Sequence, residues 1–486
     1  MPILYFFYSN ALRRNRGFVI MIDVTHAKKK LIHFASLGCS KNLVDSEVML
    51  GILEQAGLQH TSNPEEAEVI VVNTCSFIDV AKKESVDVIL EMSDYKNAEK
   101  GKCKALVVAG CLAQRYSGQV EEEIPEVDLL IGTGEYNKIA TLLDDLEKKK
   151  LKQKTFVGEP KFIHTELDPR INSAPSYMAW LKVSEGCDRL CTFCVIPQIR
   201  GKLRSRTVDS LYAEAMKLVK SGVVELNLIS QDLSQYGKDL LPPNTLFNLL
   251  ERLESIAGLR WIRLFYFYPD DLNEAVIKKI ADSEKICKYL DIPIQHFSNR
   301  ILKLMNRKIT GEEILRKVNL LRAKIPEIVL RTSLIVGFPG ESEDDFAQME
   351  AGVKEIGFNH LGVFAYSDEE EAPSSKLPNK INGKLIAKRQ KKIYDVQKKI
   401  AAKLNKKFIG QTIDVLIEGN HEETDLLWRG RHSGQAPDID GKVIINDKSE
   451  GLEVKVGDMV KVLVEEVVDY DLVGKIISQI SKREHP

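Results

Sequence analysis

Three of the chain's eight cysteines fall within one short stretch, Val183-Ser-Glu-Gly-Cys187-Asp-Arg-Leu-Cys191-Thr-Phe-Cys194. Cysteine sulfur is the usual ligand of cluster iron, and three thiolates on one loop can hold three corners of a [4Fe-4S] cube. The fourth iron is then open to chelate the amino and carboxylate groups of S-adenosylmethionine. An electron passed from the cube to that molecule would break a carbon–sulfur bond and release a 5′-deoxyadenosyl radical. The competing chemistry is structural zinc, which wants four Cys or His ligands, and this loop offers no fourth.

A second set is spread along the chain. Cys39, Cys75 and Cys111 each follow directly on a strand-like run: Ala35-Ser-Leu-Gly-Cys39, Val71-Val-Asn-Thr-Cys75 and Val108-Ala-Gly-Cys111. The carboxyl ends of an open parallel sheet form one crevice where ligands bind, so three thiols at three such ends would converge. Gly38, Asn73 and Gly110 are small or turn-forming neighbours that let the backbone approach a bulky group. The same spacing also suits three buried apolar thiols. Cys103 and Cys287 lack such company and read as plain core or surface residues.

The elements that must position these thiols are legible from periodicity. Runs at Leu31–Leu37, Val69–Asn73 and Ala105–Ala109 alternate with helical patterns at Asp45–Ala56 and Val80–Met92, which predicts a βαβ parallel-sheet domain over residues 31–150. A charged segment, Asp144–Lys154, leads into the poorly patterned stretch Phe156–Pro175, so residues 151–176 read as an arm joining two domains. Six further runs then recur with helices between them: Ala179–Val183, Val224–Ile229, Trp261–Phe265, Tyr289–Ile292, Ile328–Ile335 and His360–Phe364. They predict an open, partial barrel of parallel strands over residues 177–406, closed by the Lys-rich helix 385–406. From 407 to 486 the pattern changes to short strands, Thr412–Ile417, Lys442–Ile445 and Met459–Val467, with Gly-rich turns, which suits a small all-β barrel. The fold class is α/β with a β tail.

Composition bounds the rest. With 486 residues, 44% apolar and 29% charged, the chain can bury several cores. No apolar run reaches the ~18 residues needed to span a bilayer, and Arg13, Arg14 and Arg16 interrupt the N-terminal stretch, which argues against secretion and membranes. Sparse cysteines without a signal peptide point to a reducing cytoplasm, where clustered thiols bind metal. Residues 1–30 carry six Lys or Arg against one Asp and read as an extension of uncertain role.

The segment Ser36-Leu-Gly-Cys-Ser-Lys-Asn-Leu-Val-Asp-Ser-Glu47, then Asn73-Thr-Cys75, Gly110-Cys111 and the loop of Cys187, Cys191 and Cys194 fall in the order seen in the radical S-adenosylmethionine methylthiotransferases. The chain resembles that family over about residues 31–486, and its tail looks like a TRAM domain. The resemblance implies two [4Fe-4S] clusters and S-adenosylmethionine as cofactors. It places a radical-generating cluster on Cys187, Cys191 and Cys194, and an auxiliary, sulfur-handling cluster on Cys39, Cys75 and Cys111. An electron donor such as a flavodoxin or ferredoxin is implied as a partner.

Within the family the sequence looks like the RimO-type branch, which acts on an aspartate of small-subunit ribosomal protein twelve, rather than the MiaB-type branch, which modifies tRNA. Tyr266-Phe-Tyr-Pro-Asp-Asp271, Asp291-Ile-Pro-Ile-Gln-His296, Leu302-Lys-Leu-Met-Asn-Arg307 and Ala436-Pro-Asp-Ile-Asp-Gly441 carry that likeness. One departure is Ser40, where the branch pattern has proline. Charge points the same way. Residues 408–486 hold nine Lys or Arg against sixteen acids, whereas an RNA-binding module should be basic; an acidic tail steers toward a basic ribosomal protein.

By resemblance, Ser230, Gln231 and Asp232 occupy the place of the motif that contacts the S-adenosylmethionine amino group. Gly337, Pro339, Gly340 and Glu341 end another strand where glycine lets backbone approach the adenine or ribose. The bland readings are a helix cap at Asp232 and a tight turn at Pro339-Gly340. His296 reads as a structural histidine, and no protein acid or base is assigned to catalysis.

Overall fold

The computed structural model describes residues 30–242 and 245–481; the expected extension falls, but for Lys30, outside the described residues. The described residues form two compact units, one running to Ser173 and taking in Glu185–Cys187 and Val195–Lys202, the other made of Ala174–Ser184, Asp188–Cys194 and the described chain from Leu203 onward. Among the described residues no helix is long and apolar enough to cross a membrane.

The first unit is a parallel sheet of β1 (Leu31–Ser36), β2 (Gln59–His60), β3 (Val69–Thr74), β4 (Ala105–Gly110), β5 (Leu129–Ile131) and β6 (Thr155–Phe156), in the order β2-β1-β3-β4-β5-β6. Every residue of β3 and β4 is buried, which is why they read as continuous apolar runs and lie in the middle, covered on both faces. Helices α1 (Ser40–Gln55) and α4 (Ile139–Glu147) bury Val48, Met49, Leu53, Ile139 and Leu143 against one face. Helices α2 (Asp79–Ser93) and α3 (Cys111–Glu123) bury Ile89, Met92, Leu112 and Val120 against the other.

Three expectations need correction here. Helix α1 starts at Ser40 rather than Asp45, because Lys41, Asn42, Asp45, Ser46 and Glu47 are buried polar residues that look like a solvated loop in sequence. The charged segment Asp144–Lys154 begins inside α4, and the arm expected from Phe156 starts as an edge strand, β6, hydrogen-bonded to β5. Further along, that arm is clamped to α1: Arg170 donates to Glu47 from Nε at 2.8 Å and Nη2 at 2.6 Å, and the Ser173 amide and hydroxyl donate to the same carboxylate.

The second unit holds both remaining folds. Strands β7 (Met178–Lys182), β10 (Glu225–Ile229), β11 (Trp261–Leu264), β12 (Ile286–Asp291), β13 (Val329–Val336) and β14 (His360–Ala365) form a parallel sheet in chain order; the two-residue strands β8 (Ser184–Glu185) and β9 (Arg204–Ser205) lie outside it. All six predicted runs are present. Along β10, Leu226 and Leu228 join the apolar core, so Glu225 and Asn227 point to the opposite face, as a strand's period of two requires. The predicted Lys-rich helix is Gly383–Asn405, and Gln397 Nε2 fixes it by donating to the Phe358 carbonyl at 2.8 Å.

The tail is a closed barrel of β15 (Thr412–His421), β16 (Thr424–His432), β17 (Val443–Lys448), β18 (Met459–Val468) and β19 (Asp471–Ser481). Sequence patterning missed β16 and β19, whose charged residues and glycines interrupt any apolar run. The barrel is locked to the parallel sheet by buried charge. Arg431 donates to Glu225 Oε2 at 2.6 Å and to Glu418 Oε1 at 2.6 Å, and Arg263 donates to Glu225 at 3.1 Å and to the Ser433 carbonyl at 2.6 Å. Tyr289 donates to Asp440 at 2.9 Å.

His432 sits in this joint. Burial, and then the positive charge of His360, Arg263 and Arg431, push its imidazole down to about 3. The unfolded ring titrates near 6.5, so below that pH the unfolded chain binds a proton the native state refuses. Stability from this group is complete above pH ~6.5 and is lost toward pH ~3, by up to about 1.4 kcal/mol per pH unit. Melting temperature should therefore fall more steeply with acidification in the parent chain than in His432→Asn; parallel curves would show that the ring takes up its proton alike in the folded and unfolded chain.

Candidate metal centres

In the first unit the register places the second cysteine set. Strand β3 pairs with β1 and β4 so that Asn73 lies opposite both Ser36 and Ala109, and Cys39, Cys75 and Cys111 follow the carboxyl ends of these three neighbouring strands. The loops are then pinned together. Asn42 Nδ2 donates to the Leu37 carbonyl at 2.7 Å and reaches the Asn73 and Thr74 carbonyls at 3.3 and 3.2 Å, while Asn73 Nδ2 donates back to the Asn42 carbonyl at 2.8 Å. Thr74 Oγ1 donates to the Ala109 carbonyl at 2.6 Å and accepts from the Leu112 amide at 3.2 Å. Ser85 brackets Cys75, accepting from its amide at 3.0 Å and donating to its carbonyl at 2.8 Å. Arg115 Nη1 holds the Ser76 carbonyl at 2.7 Å.

Glycine is required at two of these turns. A Cβ on Gly38 would stand 2.6 Å from Cys75 Cβ and 3.0 Å from its sulfur, and one on Gly110 would stand 2.2 Å from Asn73 Oδ1; both residues have positive φ. The thiols are close enough to feel one another. Burial, then Cys111 and Cys39, push the Cys75 thiol up. Burial likewise raises Cys111, against the pull of the Arg200 guanidinium, whose Nη2 lies 3.3 Å from Cys111 Sγ. The N-termini of α1 and α3 add positive backbone dipole at Cys39 and Cys111.

Cys75 and Cys111, whose thiols burial raises, are poor thiolates alone and good ligands to a cationic group, because bound iron reverses the local proton balance; Cys39 beside them is exposed. Among the described residues no three His, Cys, Asp or Glu side chains group tightly enough for a single metal ion. The chemistry of the donors, three cysteines after three neighbouring strand ends, is that by which cluster iron is held.

The loop of the first cysteine set is anchored residue by residue. Gly186 has positive φ, and a Cβ there would stand 2.0 Å from the Lys202 carbonyl oxygen; the Cys187 amide donates to Gly201 at 3.1 Å. In the second unit, the Thr192 amide and hydroxyl donate to the Met305 and Leu304 carbonyls at 3.1 and 2.8 Å, Asn306 Nδ2 donates to Leu190 at 2.7 Å, and the Cys194 amide donates to Cys191 at 3.1 Å. Cys187, Cys191 and Cys194 are of intermediate exposure and take part in no disulfide among the described residues.

The residues expected around S-adenosylmethionine take distinct places. Ser230 follows β10, and its hydroxyl is buried without a hydrogen-bond partner; Gln231 is next to it in the chain. Asp232 pairs with Arg189 Nε at 2.8 Å and accepts from the Ser234 amide at 3.0 Å. Arg189 and Arg307 each lie 3.8 Å from the Tyr268 ring centroid, on a platform beside the loop that carries Cys191. Gly337, Pro339 and Gly340 form a turn with positive φ at both glycines. Glu341 holds it, accepting from the Gly337 amide at 2.8 Å and from Arg389 at 2.6 Å. His296 is buried with Nδ1 accepting from the Phe297 and Ser298 amides at 3.0 and 2.9 Å, the structural role expected of it. Cys103 and Cys287 are buried core residues.

Arg200, Ser85 and Arg115 were missed by sequence reasoning, and no local pattern marks them. Asn42 and Asp45 lie inside the Ser36–Glu47 segment already singled out.

Comparison with known proteins agrees with these domains. Residues 31–132 match the uncharacterized protein family UPF0004, 181–351 the radical SAM superfamily and 409–477 the TRAM domain. The ribosomal protein uS12 methylthiotransferase RimO of Trichlorobacter lovleyi is 46% identical over 456 residues, covering 94% of this chain and all of the relative. Its counterpart from Clostridioides difficile is 46% identical over 450 residues, covering 93% and 99%. Among solved structures, the radical S-adenosylmethionine methyltransferase TsrM from Kitasatospora setae aligns at TM-score 0.51 and 13% identity, covering 69% of this chain and 72% of that one. The cobalamin-dependent radical enzyme OxsB aligns at 0.50 and 14%, covering 76% and 56%. These two share the fold.

Proposed function

The chain belongs to the RimO family of radical S-adenosylmethionine methylthiotransferases, and from that membership we propose that it methylthiolates the β-carbon of an aspartate in ribosomal protein uS12. The observation that carries the substrate is identity of 46% along essentially the whole of a uS12 methylthiotransferase. What carries the chemistry is the presence of two separate three-thiol sets in one chain. When bound, the two clusters would pass on the electron that cleaves one S-adenosylmethionine and supply the sulfur that is transferred, while a further S-adenosylmethionine gives the methyl group.

The protein's own contribution is ligation, orientation and steering. Cys187, Cys191 and Cys194 would hold the radical cluster, and Cys39, Cys75 and Cys111 the auxiliary one. Ser230 and Gln231, with the Gly337–Gly340 turn braced by Glu341, would bind S-adenosylmethionine, and Asp232 would act by orienting Arg189. His296 accepts two backbone amides at Nδ1, and Glu341 accepts from Arg389 and the Gly337 amide. The acidic barrel would draw a basic ribosomal protein rather than tRNA. A flavodoxin or ferredoxin would deliver electrons.

The test is mass spectrometry of uS12 from cells with and without the chain. A methylthio increment on the aspartate peptide that disappears with the chain is the expected result; an unchanged peptide would overturn the substrate and direct attention to tRNA nucleosides.

A further inference from the structure

We propose that Arg200 is a positioning residue for the auxiliary cluster, donating a guanidinium N–H to the sulfur of Cys111 and so setting how readily that cluster takes up an electron; this rests on the reading of Cys39, Cys75 and Cys111 as its ligands. Arg200 is almost fully buried, with 2% of its surface exposed, and is the last residue of α5 (Ile196–Arg200), six positions after Cys194. Its planar fork is fixed on both sides. Nη1 donates to Asp45 Oδ2 at 2.5 Å and to Glu185 Oε2 at 3.3 Å; Nη2 donates to Asn42 Oδ1 at 3.0 Å and to Cys111 Sγ at 3.3 Å.

A guanidinium whose only task was to neutralise Asp45 and Glu185 would have no need of a thiol. Here the nitrogen that meets the sulfur is also held by Asn42, whose Nδ2 in turn ties the loops after β1 and β3. One hydrogen-bonded unit thus fixes the cysteine-bearing loops and aims a permanent positive charge at one ligand sulfur. Arginine does not deprotonate in proteins. Hydrogen bonds and positive charge at cluster sulfurs favour the more negative, reduced state and raise the reduction potential. Asp45 and Glu185 partly offset that charge, so the two signs can be varied separately.

The experiment uses the full chain with Cys187, Cys191 and Cys194 all replaced by alanine, so that only auxiliary iron remains, reconstituted without oxygen and titrated by redox-poised electron paramagnetic resonance. Adding Arg200→Gln should shift the midpoint to a lower potential and speed loss of iron to a chelator by about tenfold or more, the usual penalty for losing a partner one shell outside a metal. Adding Asp45→Asn, which keeps the arginine and removes an opposing charge, should shift the midpoint upward. If Arg200→Gln does not fold, the Asp45→Asn shift decides alone. Midpoints and iron release equal to the background would overturn the proposal and leave Arg200 as a brace. A background chain that binds no iron would instead overturn the two-cluster reading on which it stands.

Discussion

Cys111→Ala should still cleave S-adenosylmethionine to 5′-deoxyadenosine, while methylthiolated product falls to the limit of detection. The two thiol sets are separate in the chain, and Cys111 belongs to the set assigned to sulfur transfer, so its loss should be confined to that step. Cys111 opens α3, where alanine fits the helix and the buried volume, so the fold should survive. Iron content should drop by about four atoms per chain, one cube. Cys191→Ala should lose the same amount of iron and lose deoxyadenosine as well, since its thiol belongs to the loop proposed to hold the radical cluster. If both variants lost deoxyadenosine equally, the division of labour between the sets would be wrong.

The second large effect is structural. Glu225 is fully buried and accepts from both Arg263 and Arg431. Burial would raise its carboxyl, yet the two arginines hold it below the ordinary carboxylate range. Glu225→Gln would leave two buried guanidinium groups facing a neutral partner, and breaking such a pair from one side costs about 3–5 kcal/mol. Removing the exposed pair Lys461–Asp414, whose side chains are about half exposed, should cost under ~1 kcal/mol. Denaturant unfolding of the two variants compares them. A Glu225→Gln chain as stable as the Asp414→Asn chain would mean that the joint between sheet and barrel does not depend on this charge cluster.

The parts of the fold that were legible in sequence are those whose physics is local. Strands β3 and β4, and β7, β10 and β11 of the second sheet, are buried along their whole length and are written largely as short apolar runs, whereas β14, half exposed, shows through its Leu361, Val363 and Phe364. The cysteines stood out because each set follows strand ends, where an open parallel sheet gathers ligands. Helix α1 was misread at its start because its first two turns bury a polar network in place of leucines. Strands β16 and β19 escaped because the barrel they close is small and half their residues meet solvent or the charged joint. Arg200 could not be found at all: its partners Asp45 and Asn42 lie 155 and 158 positions away, a separation at which no periodicity speaks. Asp232 and Glu341, expected at the S-adenosylmethionine site, pair in the structure with Arg189 and with Arg389 and the Gly337 amide, partners no sequence pattern announces.

The central claim is tested most directly by giving the purified chain, loaded with iron and sulfide and reduced without oxygen, S-adenosylmethionine and a peptide carrying the uS12 aspartate. The account predicts deoxyadenosine together with a peptide bearing a methylthio group on the aspartate β-carbon, both absent from the Cys187→Ala chain. Deoxyadenosine with an unmodified peptide, when intact uS12 is also left unmodified, would contradict it.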